Sequence, residues 1–400
     1  MVRLMVRLGP LTWNPVAGVL SLLGIGAIGG LPFARSSANR MLTGEPVGLW
    51  QVLTASASTS GWLLCGGLLI CGVTSVLRPS RMVMWLQLCA ACALTVLLVA
   101  LAGAYAQHVA LSQSDIARTS LGGAFWALLA LAWLLAADAL QRLKAGLTTR
   151  MAFLATTLAA MAWLLVMGAF DALSIMKEYA NRTDVFAAAV LRHVQIVLLA
   201  LIPTVCLGLP LGWWVHRQRA ANAVVFPVLN IIQTIPSIAL FGLLMAPLAL
   251  LAASFPAFAR AGISGVGMAP GVIALVLYSL LPVVRGTLAG LEQVPKAVVD
   301  AARGMGLSPG QIAARVQLPL ALPVLLSGVQ AATIAAIGMA TITALIGAGG
   351  LGAIMFEGLF SSAQDLVLLG VVPIVGLAVL TDALFKLAIK LVQGTPAAIS

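Results

Sequence analysis

Apolar runs of about twenty residues succeed one another along nearly all of this 400-residue chain, and that spacing limits the fold more than any single motif does. A bilayer with a hydrocarbon core of roughly 30 Å takes about twenty helical residues per crossing. Runs of that size lie near 15–33, 57–77, 82–106, 121–141, 152–172, 194–215, 223–250, 264–284, 321–346 and 365–388. With 62% hydrophobic and 8% charged residues, no water-soluble core could cover so much apolar surface. The expected fold class is therefore all-α, a polytopic membrane protein of about ten transmembrane helices. Arg3 and Arg7 ahead of the first run resemble the start of a secretory signal, but the run is long and lacks a small-residue cleavage site, so it is read as a true span.

Charge supplies a topology. Lys and Arg accumulate on cytoplasmic loops. With the N-terminus inside, ten spans put fifteen of the twenty-two basic residues on the cytoplasmic side and leave the outer side neutral, so the net charge of +11 is cytoplasmic. Both termini are then cytoplasmic, as expected of a multi-pass membrane protein with an even number of spans. The basic balance reports topology and implies no nucleic-acid partner. The five cysteines, Cys65, Cys71, Cys89, Cys92 and Cys206, sit inside apolar runs and read as small hydrophobes.

The two halves differ in texture. Residues 1–172 hold seven of the nine tryptophans and few intramembrane prolines, which suggests a five-span, lipid-facing bundle. Residues 173–193 alternate charged and aliphatic positions and read as a linker helix. From 194 to 390 the spans are punctuated by Pro203, Pro210, Pro227, Pro236, Pro247, Pro323 and Pro373, as expected of a moving, substrate-facing part.

One long polar interruption divides that second half, within a loop taken as 286–320. Pro295 suits a first helical position, and Val298, Ala301, Ala302 and Met305 then share one face before Gly304 and Gly306 close the segment. Ser308, Pro309 and Gln311 read as N-cap, N1 and N3 of a second helix that ends at Pro319, a capping-box pattern. Ion pairs within the first helix, Lys296 with Asp300 and Asp300 with Arg303, contribute only about 0.2–0.5 kcal/mol each. They do not account for an exposed alanine face, whereas docking against a partner does.

Asp300-Ala301-Ala302, Gly304, Ile312 and Leu318-Pro319 resemble the EAA loop of binding-protein-dependent ABC importer permeases, with Asp300 in place of the usual Glu and Gly306 as an additional glycine. The resemblance implies a type I ABC importer permease core. It also implies a coupling role for Asp300, Ala301, Ala302, Gly304, Gly306, Leu318 and Pro319, seated on a cytoplasmic ABC ATPase dimer. A second permease chain, identical or related, and an extracytoplasmic solute-binding protein complete the implied assembly. Gln233-Thr234-Ile235-Pro236-Ser237 and the run Ala344 to Gly352 are similar to the osmoprotectant branch, which carries glycine betaine, choline or carnitine. The long extension in front is similar to that of one subgroup. Gln233, Thr234, Pro236 and Ser237 are the candidates for lining the path.

Other chemistry finds less support. None of the five lysines is followed by Ser or Thr, so no GxxxxGK[ST] phosphate loop exists; the chain is expected to be no enzyme, with ATP and Mg bound by the partner ATPase and no cofactor of its own. Gly347, Gly349 and Gly352 spell GxGxxG but follow a span rather than a strand, which favours a tight backbone turn over a dinucleotide site. Gly262-Ile263-Ser264-Gly265 matches an intramembrane serine protease motif, but no histidine follows it. The three histidines are too dispersed for a metal site. The rival readings are an ion-coupled secondary transporter or channel, or an ABC importer for another solute such as an amino acid. A relay of the coupled kind calls for charges at mid-membrane; Asp138 and Asp382 are placed by their runs near inner span ends. The aromatics sit mostly near span ends, as an interfacial belt would, so tight recognition of the solute is left to the binding protein.

Overall fold

A computed structural model describes residues 14–39, 44–56, 59–77, 80–114, 116–260 and 262–393. Arg3, Arg7, Arg40, Arg78 and Asp115, which entered the charge count, lie outside the described residues. The chain forms two compact units, residues 1–181 and 182–400.

The first unit runs α1 (Pro15–Gly30), β1 (Ala34–Ser37), β2 (Glu45–Val47), α2 (Leu49–Ser56), α3 (Thr59–Val76), α4 (Arg81–Ser112), β3 (Arg118–Leu121), α5 (Gly123–Arg142), α6 (Leu147–Val166) and α7 (Ser174–Ala180). Its core gathers Phe33, Leu64, Leu98, Leu101 and Phe125, with Phe33 and Phe125 edge to face at 5.8 Å. Asn14 caps α1 by accepting from the amides of Val16 and Ala17, and Pro15 follows at N1. The same Asn14 donates to Asp138 at 2.6 Å and accepts from Arg142 at 2.8 Å, tying the start of α1 to the last turns of α5. A small antiparallel sheet in the order β2-β1-β3 was not expected from the sequence. Its strands are connecting segments whose backbone groups pair with one another, Arg35 opposite both Pro46 and Ser120.

The second unit runs α8 (Thr183–Arg217), α9 (Arg219–Thr234), α10 (Ser237–Ser254), α11 (Pro256–Arg260), α12 (Met268–Glu292), α13 (Lys296–Gly304), α14 (Pro309–Ile312), a π turn at Ala313–Gln317, α15 (Leu318–Ala340), a 3-10 turn at Ile342–Ile346, α16 (Leu351–Phe360) and α17 (Gln364–Gln393). Helix α12 is the centre, packed along α8 on one side and α15 on the other. Gly286 and Gly328 set the α12–α15 crossing, where a Cβ on Gly286 would stand 2.6 Å from the Cα of Gly328. Small residues at such crossings let backbones meet where lipid offers no hydrophobic drive to association.

Eight helices among the described residues are long and apolar enough to cross a membrane. The expected spans at 15–33 and 57–77 correspond to shorter apolar helices, Pro15–Gly30 and Gly61–Val76. The expected span 223–250 is divided at Ile235 and Pro236 into α9 and α10. The expected span 194–215 starts eleven residues early, because α8 is 35 residues long and takes in residues 183–193, while residues 174–180 form α7. Pro203 and Pro210 stay inside α8, Pro323 inside α15 and Pro373 inside α17, so Pro236 alone among the named intramembrane prolines interrupts its helix.

Candidate functional site

Helix α13 is largely exposed, with Ala302 its one buried residue, and lies between two long spans. Pro295 is its N-cap, one position before the expected N1, with Lys296 as the first helical residue. Its end is a Schellman closure: the amide of Gly306 donates to Arg303 O at 3.0 Å and that of Leu307 to Ala302 O at 3.2 Å. Gly306 sits at φ +81°, a left-handed position that glycine adopts without strain. The expected single apolar face is divided. Ala302 is 2% exposed, and Val299 packs on Leu291, Val294 and Ala321 of the helix's own surroundings. Val298 and Met305 are 41% and 73% exposed and share the outer side with the exposed Ala301. The outer side is thus a small apolar patch flanked by the Asp300–Arg303 pair, whose 3.3 Å contact is open to solvent and contributes little.

Gly306 and Leu307 turn the chain into α14 through the capping box expected there, with Ser308 and Gln311 each bonding the other's backbone amide at 3.4 and 2.8 Å. The helix does not end at Pro319. It passes through a π turn, in which the amide of Leu318 reaches Ala313 O, and continues as α15 to Ala340. Proline is tolerated at the second position of the new helix because the wider turn has already shifted the hydrogen-bond register. Leu318 and Pro319 are exposed and sit on the spanning helix itself, about three turns beyond the Ser308 cap.

The α9–α10 break is held by a residue that sequence reading passed over. Gln233 Nε2 donates to Tyr278 O of α12 at 2.9 Å, and the Tyr278 hydroxyl donates to Ile235 O, the carbonyl that helix interruption leaves without a helical amide. Thr234 Oγ1 turns back to Ile231 O at 2.7 Å. Gln233, Thr234 and Pro236 are exposed and Ser237 half-buried, so the four form one bend on the surface of the unit, with the Gln233 and Thr234 donors engaged by backbone. A tyrosine in the middle of an apolar run, facing an interrupted helix, is the signal that could have revealed the brace.

The glycine run after α15 forms a backbone turn, with Gly347, Gly349 and Gly350 all at positive φ. Arg192 Nε donates to Ala348 O at 3.0 Å, and the buried His193 bonds Ile337 O at 3.1 Å through Nε2. No strand precedes the turn, which removes the structural context of a dinucleotide fingerprint. Among the described residues there is no group of three or more His, Cys, Asp or Glu that could hold a metal ion.

Asp382 is not near the end of its helix, as the apolar run suggested. Helix α17 continues eleven residues further, to Gln393. Asp382 accepts from Gln330 Nε2 at 2.7 Å and from Lys386 Nζ at 2.6 Å. Gln330 stands one residue past the midpoint of the 23-residue α15. Asp382 thus lies about 17 Å and Lys386 about 10 Å from the end of α17 at Gln393.

Residues 204–393 match the family described as binding-protein-dependent transport system inner membrane component, and residues 13–176 match the N-terminal domain of ABC transporter permease YehY. The chain is 36% identical to the choline transport system permease protein OpuBB of Bacillus subtilis, over 51% of this chain and 86% of that protein. It is 36% identical to the osmoprotectant import permease protein OsmW of Salmonella typhimurium, over 49% of this chain and 86% of that one. A chain of the inward-facing MetNI methionine ABC transporter superposes with a TM-score of 0.43 at 24% identity, covering 52% of this chain and 96% of that one. The relatives align with one half of the chain, and the YehY-type domain accounts for most of the other. With nearly all of OpuBB and OsmW covered at this identity, the chain belongs to the binding-protein-dependent family of ABC importer permeases.

Proposed function

We propose that this permease carries a quaternary-ammonium osmoprotectant such as glycine betaine across the cytoplasmic membrane, driven by ATP hydrolysed on a separate ABC ATPase dimer that docks on α13. One observation carries the coupling assignment: a nine-residue helix, closed at its end by a Schellman motif and joined directly to two spans, holds Val298, Ala301 and Met305 out to solvent with nothing of its own unit to cover them. A rigid, exposed helix on a tight connection to α12 and α14–α15 transmits a push from below into both spans. The relatives named for choline and osmoprotectant import support the solute class.

In this reading residues 286–320 are the cytoplasmic coupling loop, 194–390 the permease core and 1–172 an extension. The termini are cytoplasmic, as the distribution of Lys and Arg favours. Asp300, Ala301, Ala302, Gly304 and Gly306 shape the docking element, while Leu318 and Pro319 pass its movement to α15. Gln233, Thr234, Pro236 and Ser237 form a bend that shifts as the path opens. A second permease chain and an extracytoplasmic binding protein complete the machine.

Gly304 is exposed, and a Cβ there meets nothing within 4 Å, so this chain tolerates a larger side chain at that position. Gly304→Asp is expected to leave membrane insertion and abundance unchanged while abolishing ATP-dependent uptake. Uptake equal to that of the parent would remove the coupling assignment. Competition among radiolabelled glycine betaine, choline and carnitine then selects the solute.

A further inference from the structure

Helices α15 and α17 share the polar trio Gln330, Asp382 and Lys386. Its depth follows from packing. Val329 is at the midpoint of α15, and it shares a buried cluster with Val283 of α12 and, at its edge, Leu201, Val205 and Leu209 of α8 and Phe385 of α17. Phe385 lies between Asp382 and Lys386, so the pair shares the level of that cluster. At 1.5 Å per residue, Val329 is about 17 Å from the end of α15 at Ala340, and Asp382 is about 17 Å from the opposite end of the bundle, where α17 closes at Gln393. The trio thus sits near the centre of a hydrocarbon layer roughly 30 Å thick.

Asp382 and Lys386 nevertheless keep 35% and 51% of their side-chain surface open. Ser327, Ala331 and Ala335 of α15 are exposed too. An ion pair open to lipid at that depth is costly, and intramembrane charges almost always face protein or a water-filled cavity. Lys386 retains donors beyond the one given to Asp382, and Asp382 retains lone pairs.

We propose that Gln330, Asp382 and Lys386 line the aqueous solute path at mid-membrane and form a contact site for a zwitterion, whose carboxylate meets Lys386 and whose ammonium meets Asp382. Gln330 holds the Asp382 carboxylate in place from α15. The internal pair is neutral, and a zwitterion is neutral, so the solute lies against it charge to charge without bringing a net charge into the membrane. A cation lacking the carboxylate gains only the Asp382 contact and is repelled by Lys386. The water-lined face stands on depth and exposure alone; the choice of solute rests on the function proposed above.

Two measurements on the transporter assembled with its ATPase and binding protein in proteoliposomes test this. First, Lys386→Cys is treated with a charged, membrane-impermeant thiosulfonate, and modification at position 386 is read by mass spectrometry against the parent, whose exposed Cys89 and Cys206 set the background. Labelling in at least one nucleotide state is expected; none in any state means that lipid or a subunit seals this face, and overturns the proposal. Second, uptake per ATP hydrolysed is compared for glycine betaine and choline. Lys386→Met is expected to lower glycine betaine uptake about tenfold, as loss of one charged hydrogen bond implies, while choline uptake is unchanged or raised by relief of the repulsion. Asp382→Asn lowers both, and Lys386→Arg retains most betaine uptake. Equal losses of both solutes in Lys386→Met would overturn the contact. If the parent imports neither solute, the solute class is wrong while labelling still decides whether the face lines the path.

Discussion

Replacing Gly286 with alanine tests the packing on which the second unit depends. The new Cβ would lie 2.6 Å from Gly328 Cα, 3.1 Å from Gly328 N and 3.5 Å from Val324 O, all backbone atoms that no rotamer change can move. Ordinary carbon–carbon contact is about 3.5–4.0 Å, so α12 and α15 must part locally by about 1 Å. Overpacking of this kind costs about 1–3 kcal/mol, and the gap spreads along one of the two most extensive helix contacts of the unit. Alanine returns about 1 kcal/mol through helix propensity, which leaves a net loss of about 0–2 kcal/mol against the parent and about 1–3 kcal/mol against a control that takes the propensity gain alone. Gly242→Ala in α10 is the matched control, because its Cβ meets nothing within 4 Å and only the propensity gain applies. Unfolding midpoints of the purified proteins in one detergent, by heat or by SDS titration, should rank Gly242→Ala at or above the parent and Gly286→Ala clearly below it. A Gly286→Ala protein as stable as Gly242→Ala would show that the two helices do not meet at this crossing.

Two further expectations concern the bend and the coupling loop. Tyr278→Phe removes the hydroxyl that satisfies Ile235 O, at a cost of about 1–3 kcal/mol for a polar group left unpaired; amide exchange across residues 234–240 should quicken, and parent-like protection would mean that the brace is dispensable. Ser308→Ala removes one half of the capping box and should lower loop stability by about 1 kcal/mol, with Ser308→Asp retaining the cap; limited proteolysis between residues 304 and 312 reads the difference, and equal cleavage of all three proteins would refute it.

Much of the architecture is legible in the sequence because a bilayer imposes one length scale on every apolar run. Among the described residues eight helices are long and apolar enough to cross a membrane, shorter apolar helices stand in the first two expected ranges, and the capping box at Ser308 and Gln311 is formed as its residue pattern requires. Local chemistry sufficed there, since a cap joins groups three residues apart. Where long-range contacts decide, the reading fell short. Pattern alone put Ala302 on the same face as Ala301, but which edge of α13 turns inward depends on Leu291, Val294 and Ala321, distant in sequence from parts of the loop. Tyr278 braces Ile235 across 43 residues, and nothing near position 235 announces it.

Helix depth is the clearest division between the two sources. Composition determined that α17 crosses the membrane, because no other solvent suits so apolar a segment. Composition could not place the bilayer along it: thirty residues of helix reach about 45 Å, well beyond the hydrocarbon thickness, so an apolar run may slide by several turns. Tertiary packing limits that freedom by setting Phe385 level with Val329 and Val283, which leaves Asp382 about 17 Å short of the end of α17 instead of at it. Solvent preference is a property of each segment by itself, whereas depth belongs to the contacts among segments.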